Sequence, residues 1–153
     1  MKKFIPIQGG PPTYTAQQRR WSVRGGRPVT YSDNKAKVVK ASLQAYLDHY
    51  APQKPYTGPL SMTIVYVFPY RKAEKKSIVA SGTYVPKDTR PDTDNLLKLT
   101  QDVMSGHYYE DDAQIVDLHA VKVWGPTPGI YLEITPVHIT GVIKKIQRME
   151  EVS

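Results

Sequence analysis

The chain has 153 residues, no cysteine, and 21 Lys and Arg against 14 Asp and Glu, a formal net charge of +7. That length suits one domain with one core, and the lack of cysteine excludes disulfides, thiolate zinc sites and thiol nucleophiles together. The positive excess favours a polyanionic partner, with nucleic acid ahead of a membrane surface because no basic amphipathic helix is evident.

With 40% hydrophobic and 23% charged residues the chain is expected to be globular, and its 13 Pro and 10 Gly imply long loops. The apolar stretch in Met1–Gln8 is broken by Pro6 and is too short for a signal peptide. No apolar run approaches membrane-spanning length, so a reducing cytoplasmic setting is expected.

In chain order, Lys3–Gln8 reads as a short strand, stopped by Gly9-Gly10-Pro11-Pro12. Gln17–Arg27 reads as a basic loop. Ser32 can cap a helix reaching about Tyr50, with Val38, Val39, Leu43, Tyr46 and Leu47 at three- and four-residue spacing. Pro52, Pro55 and Pro59 end it. Leu60–Phe68 follows as a strand with Met62, Ile64, Tyr66 and Phe68 on one face. Tyr70–Arg90 is polar and basic without sustained periodicity, and is expected to be a mobile loop with at most a short extended piece at Thr83–Val85.

A second helix is expected over Asp94–Ser105, with Leu96, Leu97, Thr100, Val103 and Met104 on one face and Gly106 as its stop. Two strands follow, Gln114–Trp124 and Gly129–Pro136, joined through Gly125-Pro126-Thr127-Pro128 in the manner of a hairpin. The tail Ile139–Ser153 is patterned for a short amphipathic helix.

The distribution of charge says more than its total. Residues 1–40 carry nine Lys and Arg against one acid, whereas residues 91–120 carry one Lys and seven acids, half of all the acids in the chain. An acidic island in a basic chain needs a chemical reason.

Its first cluster, Arg90-Pro91-Asp92-Thr93-Asp94-Asn95-Leu96-Leu97-Lys98, sets two Asp residues one apart at the start of the second helix. Asp94 and Lys98 are four apart and lie within ~40° of one another around a helix. The second cluster, Glu110-Asp111-Asp112, lies between that helix and the next strand. A helix-to-strand return is expected to bring one of its acids back to Asp92 and Asp94. Two carboxylates at ~4 Å repel by ~4 kcal/mol at an effective dielectric of 20, a cost that a divalent cation removes. An all-oxygen set suits Mg²⁺ or Mn²⁺, and the chemistry implied is metal-assisted phosphodiester hydrolysis, with Lys98 typed to neutralise a phosphate oxygen. The structural alternatives are Asp94 as an N-cap, Asp94–Lys98 as a surface ion pair worth ~0.3 to 0.5 kcal/mol, and Glu110-Asp111-Asp112 as a solvated turn.

Taken together, Pro91-Asp92-Thr93-Asp94-Asn95-Leu96-Leu97-Lys98, then Asp102, then Tyr109-Glu110-Asp111-Asp112-Ala113-Gln114-Ile115 resemble the core of the RusA-type Holliday junction resolvases. That family's pattern is a D-x-D-N-L-x-K segment, a helix with an Asp, and a D-D-A-Q-[IV] segment, and each position is matched. The likeness is strong over residues 88–136 and looser over 3–138. It implies an α+β fold, a small mixed sheet with two main helices packed on it, forming one RusA-like domain over 1–153 and a homodimer. It puts the catalytic and metal-binding acids on Asp92, Asp94 and Asp112, the family lysine on Lys98, and Asp111 and Asn95 beside them in support. The activity implied is Mg²⁺-dependent paired nicking of four-way DNA junctions, with branched DNA as partner and neither a membrane nor a nucleotide cofactor involved. Other readings are a less specific branched or flap nuclease with the same site, and a noncatalytic DNA-binding module.

Two regions depart from the family. Ala16-Gln17-Gln18-Arg19-Arg20-Trp21 stands where relatives often carry a Lys-Gly-Arg-Pro-Arg type segment, and the 70–90 loop looks long. Arg19, Arg20, Arg24 and Arg27 around Trp21 suit phosphate contacts with base stacking, and Lys72, Lys75 and Lys76 can track phosphates. Solvated surface loops are the alternative for both. His107 and His119 lack ligand spacing to another His.

Overall fold

The computed structural model describes residues 1–14, 20–31, 34–137, 140 and 144, with the backbone alone for 20–24 and 28–31. The elements are β1 (Lys2–Pro6), β2 (Arg20–Arg24), β3 (Arg27–Tyr31), α1 (Asn34–Asp48), β4 (Leu60–Pro69), α2 (Lys76–Ser81), β5 (Val85–Pro86), α3 (Thr93–Met104), β6 (Ile115–Gly125) and β7 (Gly129–Pro136). A mixed five-stranded sheet has the order β1-β7-β4-β6-β5, and β2 and β3 form a separate ribbon.

β4 takes the centre because its ten positions are rich in β-branched and apolar residues and carry no charge. Met62, Ile64, Tyr66 and Phe68 lie on one face and are buried, as the two-residue period predicts. They meet Leu43 and Leu47 of α1, Leu96, Leu99, Val103 and Met104 of α3, and Ile130, Leu132 and Ile134 of β7 in one core. The fold is therefore α+β, with α1 and α3 side by side over one face of a mixed sheet.

β6 and β7 are not a hairpin. β4 runs between them, parallel to β6 and antiparallel to β7. The reason is in the link: strands flanking a common neighbour are ~10 Å apart. Three extended residues such as Pro126-Thr127-Pro128 span about that distance, whereas a hairpin turn must fold back within one strand spacing.

Two other expectations change. The basic segment read as a loop holds the ribbon β2–β3, closed by Gly25-Gly26 with φ of 58° and 75°, the conformation that a two-residue hairpin needs at both positions. The 70–90 stretch is ordered into α2, which ends at Gly82 in the left-handed region, and β5, which pairs Val85 and Pro86 with Trp124 and Val123 of β6. The Tyr70 hydroxyl donates to the Thr83 carbonyl at 2.8 Å and closes this excursion. In α1 the periodic residue Val38 is 68% exposed, while Ala36 joins Leu43 and Leu47 among the buried residues. The proposed cap Ser32 and, apart from residues 140 and 144, the tail 139–153 lie outside the described residues.

Candidate active site

α3 starts one residue before the expected position, so its N-cap is Asp92 rather than Asp94. The cap is unusual in its chemistry: the Asp92 side chain makes no capping hydrogen bond to the helix. Its Oδ2 accepts a single long contact from the Asn95 amide, 3.5 Å. Asp94 sits in the first turn, and both carboxylates are exposed at the positive end of the helix, where negative charge is favoured. Lys98 is exposed one turn on. Among the described residues no ion pair joins it to Asp94.

The leucine-rich face holds this end in place. Leu96 is fully buried, and the Tyr66 hydroxyl donates to Thr100 Oγ1 at 3.0 Å, which in turn donates to the Leu96 carbonyl at 2.9 Å. Asn95 keeps a buried Oδ1 without a hydrogen-bond partner among the described residues.

Directly ahead of Asp92, two lysines that the sequence reading passed over grip the backbone. Lys122 Nζ on β6 donates to the carbonyls of Thr89 and Pro91, both at 2.7 Å. Lys87 Nζ donates to Thr89 Oγ1 at 2.6 Å and to the Arg90 carbonyl at 2.7 Å, and lies 4.0 Å from the centre of the Trp124 ring. The Arg90–Pro91 peptide bond is cis. One signal for Lys122 was present: a cation flanked by valines in a strand register that faces the helices, opposite Tyr66.

The second acidic cluster follows the other end of α3. Tyr108 and Tyr109 are buried there; the Tyr108 hydroxyl donates to the Leu47 carbonyl at 2.6 Å, and the Tyr109 hydroxyl reaches the Gln101 carbonyl at 3.4 Å. Burial pushes the Tyr109 hydroxyl well above the ordinary tyrosine range, with the charges of Asp112 and Asp102 adding to the effect. Asp111 caps a single 3₁₀ turn, Asp112–Gln114, accepting from the Ala113 N–H at 2.8 Å while Gln114 Oε1 accepts from the Asp111 N–H at 2.9 Å. Asp112, exposed, is left out of that reciprocal cap.

The expected return of Asp112 to Asp92 and Asp94 within one chain does not occur. α3 has 12 residues, which at ~1.5 Å per residue puts ~18 Å of helix between the two clusters. Among the described residues no group of three or more His, Asp or Glu side chains is placed to hold a metal ion. The donor chemistry still fits one: exposed carboxylate oxygens, uncommitted to capping or ion pairs, are the ligands that Mg²⁺ and Mn²⁺ prefer.

Of the residues expected to meet DNA, Lys72, Lys75 and Lys76 are exposed, Lys75 as the N-cap of α2 and Lys76 as its first residue. Arg27 is exposed beside the Gly25-Gly26 turn, and the ribbon's register pairs it with Arg24. Arg20 and Trp21 lie on β2. Arg19 is outside the described residues. His107 and His119 are exposed, and His107 Nδ1 is 3.5 Å from Asp48 Oδ1, an α1 contact rather than part of an acid cluster.

The chain belongs to the RusA endodeoxyribonuclease family: the family model "Endodeoxyribonuclease RusA" matches residues 10–135. It is 37% identical over 124 residues to the crossover junction endodeoxyribonuclease rusA of Lactococcus phage r1t, covering 72% of this chain and 91% of that one. It is also 30% identical over 122 residues to the uncharacterized protein YqaN of Bacillus subtilis (strain 168), covering 77% of this chain and 86% of the relative. No helix among the described residues is long and apolar enough to cross a membrane.

Proposed function

We propose that the protein is a Mg²⁺-dependent resolvase of four-way DNA junctions, acting as a homodimer through paired symmetric nicks. The observation that carries this reading is the exposed carboxylate pair Asp92 and Asp94 at the start of α3 in a member of an endodeoxyribonuclease family. The phage relative's name, crossover junction endodeoxyribonuclease, supports the substrate.

Asp92, Asp94 and Asp112 would hold the metal, which when bound supplies water activation and charge neutralisation at the scissile phosphate. Lys98, exposed and without an ion-pair partner among the described residues, donates to a phosphate oxygen as charge builds on it. Asn95 orients the Asp92 carboxylate, and Asp111 fixes the turn from which Asp112 projects. Lys72, Lys75, Lys76, Arg19, Arg20, Arg24 and Arg27 bind phosphates away from the cut, and Trp21 is of a type that stacks on a base.

The separation of the two acidic clusters supports a site built from two chains. α3 runs antiparallel to β6: its N-terminal end lies by Lys122, and its C-terminal end leads into the start of β6. β5 pairs only with Val123 and Trp124, so among the described residues the β6 edge from Ile115 to Lys122 has no strand beside it. Val116 and Leu118 protrude there, 57% and 42% exposed. A second copy added antiparallel on that edge would bury them, extend the sheet and set the two α3 helices side by side in opposite directions. Asp112 of each copy then stands by Asp92 and Asp94 of the other, giving two equivalent sites for a two-fold substrate.

The test is a nicking assay on junction, flap and duplex DNA with and without Mg²⁺, for wild type and Asp92→Asn. Metal-dependent paired cuts on the junction, lost in the variant, are expected. Equal cutting of flaps favours the broader branched-DNA nuclease, and binding without cutting favours the noncatalytic module.

A further inference from the structure

We propose that Lys87 and Lys122 are positioning residues that fix the metal-binding carboxylate of Asp92 by clamping the three backbone carbonyls ahead of it. The inference rests on the reading of Asp92 as a metal ligand.

Every carbonyl in Thr89-Arg90-Pro91 accepts from a lysine amine, those of Thr89 and Pro91 from Lys122 and that of Arg90 from Lys87, all at 2.7 Å. The clamp is anchored on the sheet rather than on the loop. Lys122 belongs to β6; the Lys87 N–H donates to the Lys122 carbonyl at 3.1 Å; and the Lys87 amine sits over Trp124 of β6 and Phe68 of β4, at 4.0 and 4.9 Å from the ring centres. Asp92 is thereby referred to the main sheet, while its own carboxylate is not used to cap α3.

Stability alone is a poor reason for this arrangement. Lys87 is 6% exposed, and neither amine has a carboxylate within ion-pair distance among the described residues. Burial and the nearby Lys122 charge both push the Lys87 amine below the ordinary lysine range. Two mutually repelling cations are held against main-chain oxygens where loop residues as exposed as Thr89 and Arg90 would otherwise bond to water. A charge-assisted hydrogen bond is short and directional, which suits a part that must hold a ligand group to within a few tenths of an ångström.

The experiment measures, for wild type, Lys122→Met, Lys122→Arg, Lys87→Met and Asp92→Asn, the Mg²⁺ concentration giving half-maximal junction cleavage. Mn²⁺ affinity by electron paramagnetic resonance without DNA, metal-free junction affinity and the unfolding temperature are measured alongside. Expected for both Met variants are a tenfold or greater rise in half-maximal Mg²⁺ and a matching loss of Mn²⁺ affinity, with junction affinity within twofold. Lys122→Arg, which can still reach two carbonyls, is expected to recover most of the metal affinity. Unchanged metal dependence in folded Met variants, or a loss of junction affinity in its place, overturns the clamp. Asp92→Asn separates the two readings: if it abolishes cleavage and Mn²⁺ binding while the Met variants behave as wild type, the clamp fails and the site stands. If Asp92→Asn cleaves normally, the site itself fails and the clamp with it.

Discussion

Asp111 and Gln114 cap one another: the glutamine accepts from the Asp111 N–H at 2.9 Å while the Asp111 carboxylate satisfies the Ala113 N–H at 2.8 Å. Gln114 also donates to the carbonyls of Tyr56 and Gly58, tying the turn to the strand entrance. Of these two adjacent acids, Asp111 is spent on structure and Asp112 takes no part in the cap.

Asp112→Asn is accordingly expected to keep the fold and junction binding and to lose cleavage, or to require much higher Mg²⁺. Asp111→Ala is expected to lower stability by about 1 kcal/mol, the usual cost of losing an N-cap, with activity falling less than in the Asp112 variant. Denaturant unfolding and single-turnover cleavage of both proteins check this; wild-type cleavage by folded Asp112→Asn contradicts the three-carboxylate site.

Lys98→Ala removes a donor proposed to act on developing charge, so a turnover loss of ~10²-fold with little change in junction affinity is expected. Single-turnover rates at saturating enzyme decide it, and a normal rate removes Lys98 from the reaction.

Junction affinity is expected to fall steeply between low and moderate salt, because binding that neutralises phosphates releases counterions. Replacing Lys72, Lys75 and Lys76 together by Gln should flatten the slope of log affinity against log salt by up to about three phosphate contacts. A slope unchanged from wild type would take the 70–90 segment out of the DNA footprint.

Leu118→Asp puts a charge on the unpaired edge of β6, the device by which sheet edges are kept apart. Light scattering is expected to give about twice the 17.3 kDa chain mass for the wild type and a monomer for the variant, with metal-dependent cleavage lost alongside. A fully active monomer would refute the two-chain site.

The pH response of Lys87 follows from its lowered folded-state value. In the pH interval between that value and the ordinary 10.5, the unfolded chain holds the proton that the folded chain has released. Stability from this group therefore rises with pH through that interval, and below it the cost of burying the charge is fully felt. Lys87→Met should lose this rise and be no less stable than wild type at neutral pH, which thermal unfolding at several pH values tests.

What could be read ahead of the structure, and what could not, divides along local and non-local lines. β4 and α3 were legible because their periods of 2 and 3.6 are written in contiguous apolar residues, such as Met62-x-Ile64-x-Tyr66-x-Phe68 and Leu96, Thr100, Val103. The ribbon β2–β3 was obscured by its arginines, although Gly25-Gly26 between Val23 and Val29 carried the turn signal. The insertion of β4 between β6 and β7 is a pairing of segments about fifty residues apart or more, which no window on Gly125–Gly129 can register. The acids of the candidate site were visible by type and spacing. The separation of Asp112 from Asp92 was not, since it depends on the tertiary contacts of His107, Tyr108 and Tyr109 that keep the following segment near the C-terminal end of α3. Lys87 and Lys122 were hidden for the same reason: their partners are carbonyls, which have no letter in the sequence.

The pairing of β1 with β7 matches Lys2–Pro6 to Gly129–Glu133, and the Met1 amino group donates to the Ile134 carbonyl. Gly129 is required at this seam, since a side chain there would collide with the Ile5 carbonyl and the Phe4 ring. On the ribosome β1 therefore waits for β7, far along the chain, to emerge, and at ~5 to 20 residues per second that wait lasts several seconds to about half a minute. During synthesis Phe4 and Ile5 stay unpaired, a window in which a holding chaperone has an apolar strand to bind. Refolding of the finished chain, dominated by such distant pairings, should be slow for its size.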